Sequence, residues 1–255
     1  MKKIGIVTGA SSGMGKDFLK TLPDNIEVDE IWAIARDEKT LKELSKEINV
    51  KVVPLAYDLS KEESVKEIEK KLSKEKPDVR ILINAAGYGK FEKTTKISYE
   101  DNIGMVKLNC EGLTSMCLIT IPYMKKDSYI INFASVAAFQ PVPYINIYAA
   151  TKAYVLSFSR SLNQELKKEG IHVMAICPYW TKTKFFDRAV TKNVIVKKYV
   201  AMYNSIDNVN RAWRDLKKGK DVSQYGFKAK AQVKLCKILP HSIVMSVWQR
   251  QQKLK

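Results

Sequence analysis

The 255-residue sequence predicts an α/β fold, a doubly wound parallel sheet with helices on both faces. Two observations carry this. Short β-branched apolar runs alternate with helical patterns from the first residues onward, and no linker-like segment or internal repeat interrupts them. The runs at 3–7, 30–35, 50–57, 80–84, 129–133 and 172–176 read as strands. Segments 39–48 and 60–73 carry apolar residues three or four apart among charges, so they read as amphipathic helices covering the sheet. Longer helices are expected over about 109–124 and about 148–168, the second stopped by Gly170. After Pro178 the rhythm loosens: 212–218 looks helical, 221–227 reads as a last strand, and 233–248 is an apolar stretch broken by Lys234, Lys237, Pro240 and His241. One domain spanning 1–255 is the economical arrangement.

Composition narrows the function classes. With 45% hydrophobic and 28% charged residues, a disordered, collagen-like or disulfide-scaffold chain is excluded. The longest uncharged run, 128–151, contains Asn132, Ser135, Gln140, Pro141, Pro143 and Asn146, too polar and proline-broken to span a bilayer. The N-terminus enters a strand-like run at Ile4 and meets glycine and serine by residue 13, leaving no room for a signal peptide, and a cytoplasmic protein is expected. Cys110, Cys117, Cys177 and Cys236 lie in apolar surroundings without a CxxC pair, which points to reduced, packed thiols and not to a metal site. Of the two histidines, His172 reads as a strand residue, and His241 is the other.

Charge is uneven. From Lys182 onward there are 18 Lys or Arg against 4 Asp, a local +14 of the total +17. No zinc-finger or RNP signature accompanies it, so specific nucleic-acid binding is not expected. A solvated basic face guiding an anionic substrate or cofactor fits better. The stretch 233–248 is expected to cap the chain's own core in preference to lying on a membrane or a partner subunit.

The turn Thr8-Gly9-Ala10-Ser11-Ser12-Gly13-Met14-Gly15 follows the first strand and opens the first helix. A phosphate belongs there: glycines permit a tight turn and close backbone approach, and the helix N-terminus offers unpaired amides and the positive end of its dipole. The same residues, Gly9 to Gly13, also satisfy G-x-S-x-G, the nucleophile elbow of serine hydrolases. That alternative needs earlier strands for its oxyanion loop and a histidine partner from only His172 or His241, so it is the weaker one. The second strand ends Ile34-Ala35-Arg36-Asp37. In a dinucleotide-binding unit an acid here takes a ribose 2′-hydroxyl and an arginine takes a 2′-phosphate, so Arg36 favours NADP over NAD while Asp37 keeps NAD open.

Tyr148 and Lys152 stand four apart, on one face of a helix. A phenol with pKa near 10 becomes a usable acid or base when a nearby cation brings it towards neutrality. Taken with the glycine turn, Asn84-Ala85-Ala86-Gly87, Asn109, and Ser135 thirteen residues before Tyr148, the chain resembles the short-chain dehydrogenase/reductase family over about 3–183.

The resemblance implies a Rossmann-like sheet of about seven parallel strands, a nicotinamide cofactor, and a tetrad of Asn109, Ser135, Tyr148 and Lys152. Tyr148 would exchange a proton with the carbonyl or alcohol oxygen, and Ser135 would hold that oxygen. Lys152 would lower the phenol's pKa and bind the nicotinamide ribose, and Asn109 would anchor a water leading from Lys152 to solvent. Read singly, Asn109 would only cap a helix and Ser135 only end a strand. Cofactor contacts would come from Thr8, Gly9, Ser11, Ser12, Gly13, Met14, Gly15, Arg36, Asp58, Leu59, Asn84, Ala85, Gly87, Tyr148, Lys152, Pro178, Thr181 and Thr183, with residues 179–255 supplying the substrate side. Where the family has Pro-Gly this chain has Pro178-Tyr179, so Tyr179 and Trp180 either line an apolar pocket or fill core.

The expected activity is therefore NADP(H)-dependent ketone and secondary-alcohol interconversion without a metal. Tyr144, Tyr179, Trp180, Phe185 and Phe186 suggest a bulky apolar substrate of steroid, bile-acid or long-acyl type. A 3-oxoacyl thioester reductase, whose basic C-terminal third receives an acidic carrier protein, is the alternative. A cofactor-binding regulator without turnover is the other class, and an intact tetrad speaks against it. The family implies a homodimer or homotetramer.

Overall fold

The computed structural model describes residues 1–191, 193 and 195–254, so Lys192 and Lys255 of the basic third lie outside the described residues. In chain order the elements are β1 (Lys3–Thr8), α1 (Gly13–Thr21), β2 (Glu30–Ala35), α2 (Glu38–Ser45), β3 (Lys51–Ala56), α3 (Glu62–Glu75), β4 (Asp78–Asn84), α4 (Tyr99–Val106), α5 (Leu113–Thr120), β5 (Met124–Phe133), α6 (Asn146–Glu165) and β6 (Ile171–Ile176). There follow β7 (Thr181–Lys182), α7 (Phe185–Ala189), β8 (Tyr203–Asn204), α8 (Ser205–Leu216), β9 (Val222–Ser223), α9 (Phe227–Ile238) and α10 (His241–Gln252). Seven strands form one sheet in the order β3-β2-β1-β4-β5-β6-β9, every pairing parallel.

The strands are apolar on both faces because both faces are covered. Alternate residues point to opposite sides. Ile4, Ile6, Trp32, Ile34, Leu82, Ile130 and Val173 pack under α3, α5 and α6 against Ile68, Leu72, Met116 and Val155. Their neighbours Val7, Ile31, Ala33, Ile81, Ile83, Ile131 and Met174 pack under α1, α2 and α8 against Phe18, Leu19, Leu41 and Trp213. Strand order reverses between β1 and β4, the switch point at whose C-terminal strand ends a doubly wound sheet binds its ligands.

Three expectations change. The helix expected from 109 begins at Tyr99, capped by the Ser98 hydroxyl, which accepts from Asp101 N at 3.1 Å. It then passes through a π-helical turn, Lys107–Gly112, into α5, so Asn109 sits inside a continuous helical run and caps nothing. The last strand shrinks to Val222–Ser223 before a left-handed Gly226 (φ +93°) turns the chain into α9. The stretch 233–248 is two helices broken at Pro240, whose φ is fixed and whose N–H is missing.

The short edge strand is anchored electrostatically. Asp215, near the end of α8 and buried, accepts from Arg211 Nε at 2.7 Å, Lys220 Nζ at 2.8 Å and Ser223 Oγ at 2.9 Å. Burial raises its pKa, but these three bonds outweigh it and hold the carboxyl below the usual range. A depressed folded-state pKa contributes stability that is present above the unfolded value, near 4, and is lost as pH falls through the folded one. Asp215→Ala should therefore cost about 2 kcal/mol at neutral pH, since Arg211 and Lys220 stay partly solvated while the buried Ser223 hydroxyl loses its acceptor, and the gap from wild type should narrow as pH falls below about 4 in urea unfolding.

Candidate active site

A cleft of about 780 Å³ runs from the crevice to the C-terminal helices. Its floor is the glycine turn. Gly9 has φ +64°, and a Cβ there would lie 2.8 Å from the backbone of Ala85 and Ala86, so only glycine lets the turn lie against the segment after β4. A Cβ on Gly15 would stand 2.2 Å from the Gly9 carbonyl oxygen, and its absence keeps the first turn of α1 tight on the loop. Ser12 is the N-cap of α1 but caps it with no side-chain bond. The result is a backbone cradle at a helix N-terminus, sized for a phosphate group.

Around the adenosine end, Arg36, Asp58 and Leu59 line the cleft. Asp37 is committed elsewhere: it caps α2, its carboxylate accepting from Thr40 Oγ1 at 2.6 Å and Thr40 N at 3.0 Å, bonds that hold its pKa down. Asp58 resists the upward push of burial through bonds from the Ser60 hydroxyl at 2.7 Å and the Ser60 amide at 3.0 Å, aided by Arg36, and stays ionised.

The reactive groups meet where β5 ends and α6 begins. Lys152 is buried and its Nζ donates to the Phe133 carbonyl at 2.6 Å, 5.6 Å from the centre of the Tyr148 ring. Ser135, after β5, accepts from Ala137 N at 3.1 Å, and its hydroxyl is close enough to the Tyr148 phenol to favour the phenolate. Asn109 binds the Tyr88 backbone on both sides, accepting from its N at 3.1 Å and donating to its O at 2.9 Å, and also donates to Thr151 Oγ1 at 3.0 Å. Asn109 and Lys152 meet at Gly87, where a Cβ would stand 2.9 Å from Asn109 Oδ1 and 3.5 Å from Lys152 Nζ, and Tyr148 closes on Gly89, where a Cβ would stand 2.8 Å from its ring.

The electrostatics differ from the expectation. Burial pushes the Tyr148 phenol up to about 12 against the pull of the Ser135 hydroxyl, and burial brings Lys152 down to about 8, opposed by Cys110 and Cys177. The ammonium does not bring the phenol towards neutrality here, because desolvation penalises the charged form of each. Tyr148 holds its proton at neutral pH.

Ser11, Ser12, Gly13, Met14, Ala85, Gly87, Pro178, Tyr179, Trp180, Thr181 and Thr183 all line the cleft. Three expected contacts do not. Thr8 lies beneath the turn, its hydroxyl accepting from Ala86 N at 3.1 Å. Asn84 faces the sheet interior and donates to Asn132 Oδ1 at 3.0 Å, and Asn132 in turn donates to Ser159 Oγ on α6 at 3.0 Å. Tyr144 has φ +67°, and its carbonyl accepts from Glu92 N at 2.9 Å outside the lining. Neither His172 nor His241 lines the cleft, which leaves Ser11 without the base a hydrolase elbow requires.

Trp180 both packs and lines. Its ring lies 5.2 Å from Tyr199, 5.9 Å from Phe91, 6.1 Å from Phe186 and 6.4 Å from Trp248. α9 and α10 cover the cleft from the C-terminal segment expected on the substrate side, but none of their lining residues stood out in the sequence as a site residue. Leu235, Cys236, Val247, Trp248 and Gln251 line the cleft, with Gln140 accepting from Cys236 Sγ at 2.6 Å. α10 is clamped in place: Gln252 Oε1 accepts from Lys197 N and Lys198 N, both at 2.9 Å, and Trp248 Nε1 donates to Pro143 O at 3.0 Å. Arg188 stacks over the Tyr88 ring at 3.5 Å, also on the lining. No local pattern pairs residues this distant in sequence.

Known proteins share this arrangement. An NADP-dependent 3-hydroxy acid dehydrogenase of Schizosaccharomyces pombe is 30% identical over 187 residues, 71% of this chain and 72% of that protein. A very-long-chain 3-oxoacyl-CoA reductase of Rattus norvegicus is 31% identical over 189 residues, 70% of this chain and 59% of that protein. A short-chain dehydrogenase from Sphingobium yanoikuyae, solved in complex with NADPH, is similar with a TM-score of 0.76 at 25% identity, covering 95% of this chain and 98% of that chain. The short chain dehydrogenase family model matches residues 3–193, a span that holds the glycine turn, Ser135, Tyr148 and Lys152, and the chain belongs to that family of oxidoreductases.

Proposed function

We propose that the protein is an NADP(H)-dependent oxidoreductase that interconverts a ketone and a secondary alcohol on a bulky apolar substrate. The observation that carries this reading is a protonated, half-buried Tyr148, beside Ser135 and backed by the buried Lys152, on the lining of a cleft with a phosphate cradle at one end and an aromatic wall at the other.

NADP(H), when bound, supplies or accepts the hydride. The turn Gly9, Ser11, Ser12, Gly13, Met14 and Gly15 would hold its pyrophosphate, and Arg36 its 2′-phosphate, with Asp58 and Leu59 beside the adenine. Ala85 and Gly87 would form the wall behind it, and Pro178, Thr181 and Thr183 would contact its nicotinamide end. Tyr148 gives its proton to the carbonyl oxygen, or takes it back from the alcohol. Ser135 holds that oxygen by a hydrogen bond that strengthens as negative charge develops. Lys152, with a pKa of about 8, is mostly protonated at neutral pH and stabilises the phenolate left behind. Asn109 is a positioning residue, because its side chain is spent on Tyr88 and Thr151.

Phe91, Trp180, Phe185, Phe186 and Trp248 make the substrate wall apolar, which suits a steroid, a bile acid or a long acyl chain. A second reading, a 3-oxoacyl thioester reductase, draws support from the relative named as a very-long-chain 3-oxoacyl-CoA reductase. Four unbridged cysteines suit a reducing compartment, and we place the protein in the cytoplasm. A homodimer or homotetramer would cover the exposed Ile103, Val106, Leu118 and Tyr154 of α4, α5 and α6.

Purified protein should oxidise NADPH with ketosteroids, oxo-bile acids or long 3-oxoacyl thioesters at kcat/KM values about tenfold or more above those for small ketones. Preference for small ketones, or silence with all groups while NADPH still binds tightly, would contradict the assignment. Arg36→Ala should weaken NADPH about tenfold or more, roughly 1.4 kcal/mol, and leave NADH almost unchanged, as read by fluorescence titration; equal loss for both cofactors would defeat the role of Arg36.

A further inference from the structure

α9 is apolar on two opposite sides. Ala229, Val233 and Cys236, four and then three residues apart, pack down over Val136, Phe139 and Tyr179. On the other side Phe227, Leu235 and Ile238 stand 85%, 56% and 70% exposed. On α10, Val244 and Trp248 are buried, while Ile243 and Val247, each one residue earlier and so about 100° round the helix, stand 47% and 57% exposed. One apolar stripe seats a helix on its core; a second stripe is a surface for something else. Cations frame it. Residues 227–254 hold six Lys or Arg and no Asp or Glu. Phe227, Leu235 and Val247 also belong to the cleft wall, so the exposed row runs directly into the substrate side.

We propose that the outer face of α9 and α10 docks on an anionic lipid bilayer, lysines among the lipid phosphates and apolar row among the acyl chains, so that substrate passes between bilayer and cleft through this mouth. The proposal rests on the apolar-substrate reading above. Charge complementarity selects the occupant. A second copy of the chain would set the same six cations against six more, and an acidic protein would match the lysines without using an aliphatic row continuous with the cleft. No helix among the described residues is long and apolar enough to cross a membrane, so the contact is interfacial.

Flotation of the full chain with vesicles tests it. Wild type should float with phosphatidylcholine vesicles containing about one-third phosphatidylglycerol and stay in solution with phosphatidylcholine alone. Ile238→Asp and Lys234→Glu, exposed and outside the cleft lining, should each lower the bound fraction about tenfold while leaving turnover of a soluble substrate unchanged. Wild type that ignores anionic vesicles, floats equally with neutral ones, or floats no better than Ile238→Asp would overturn the proposal. So would a solution dimer that Ile238→Asp converts to monomer, which would give the face to a second copy. Flotation is read without substrate, so active protein that ignores vesicles loses only the docking, and inactive protein that floats loses only the reaction.

Discussion

An ammonium buried at the end of β5 imposes the main constraint on this molecule. A charge cannot be taken out of water without a partner, and Lys152 has the Phe133 carbonyl at 2.6 Å. That bond registers α6 against the strand ends and fixes Tyr148, one turn earlier, beside Ser135. Polar links reinforce the seating: Asn84 to Asn132 across the sheet, Asn132 to Ser159, and Ser159 back to the Val155 carbonyl at 2.6 Å. Asn109 adds Thr151 from the π-helical turn. The reacting groups thus sit on rigid elements, as preorganised acid catalysis requires.

The two ends of the cleft are built by different means. At the cofactor end the backbone supplies the shape, because Gly9 and Gly15 let the loop, α1 and the segment after β4 approach more closely than any side chain would permit. At the substrate end side chains supply it, through Trp180 and the rings packed around it, under a cover of α9 and α10 clamped by Gln252 and Trp248. The first end depends on local sequence. The second depends on contacts between residues far apart in the chain.

That division explains what the sequence revealed. Strands were legible because a sheet covered on both faces needs apolar residues at every position, and the turn was legible because its glycines have few other uses. Tyr148 and Lys152 were legible as an i, i+4 pair, but not the result of burying both, which raises one pKa and lowers the other. Asn84 and Thr8 belong to the expected segments yet turn into the fold, a one-residue distinction that strand alternation decides. Tyr144 looked like a pocket residue from composition, and its positive φ carries it outside the lining. Asp37 looked like a ribose ligand, and capping α2 uses it instead. The start of α4 was hidden because Asp101, Asn102 and Gly104 resemble a loop, while the Ser98 cap that begins it is only one residue long.

The central claim is that Tyr148 is the proton donor. Single-turnover oxidation of bound NADPH by a ketone substrate, followed in wild type and in Tyr148→Phe alongside NADPH affinity, tests it most directly. The account predicts unchanged affinity and a rate reduced by about a thousandfold or more, because removing one hydroxyl removes the acid and leaves the ring that packs on Phe91 and Phe185. Wild-type rates in Tyr148→Phe would contradict it.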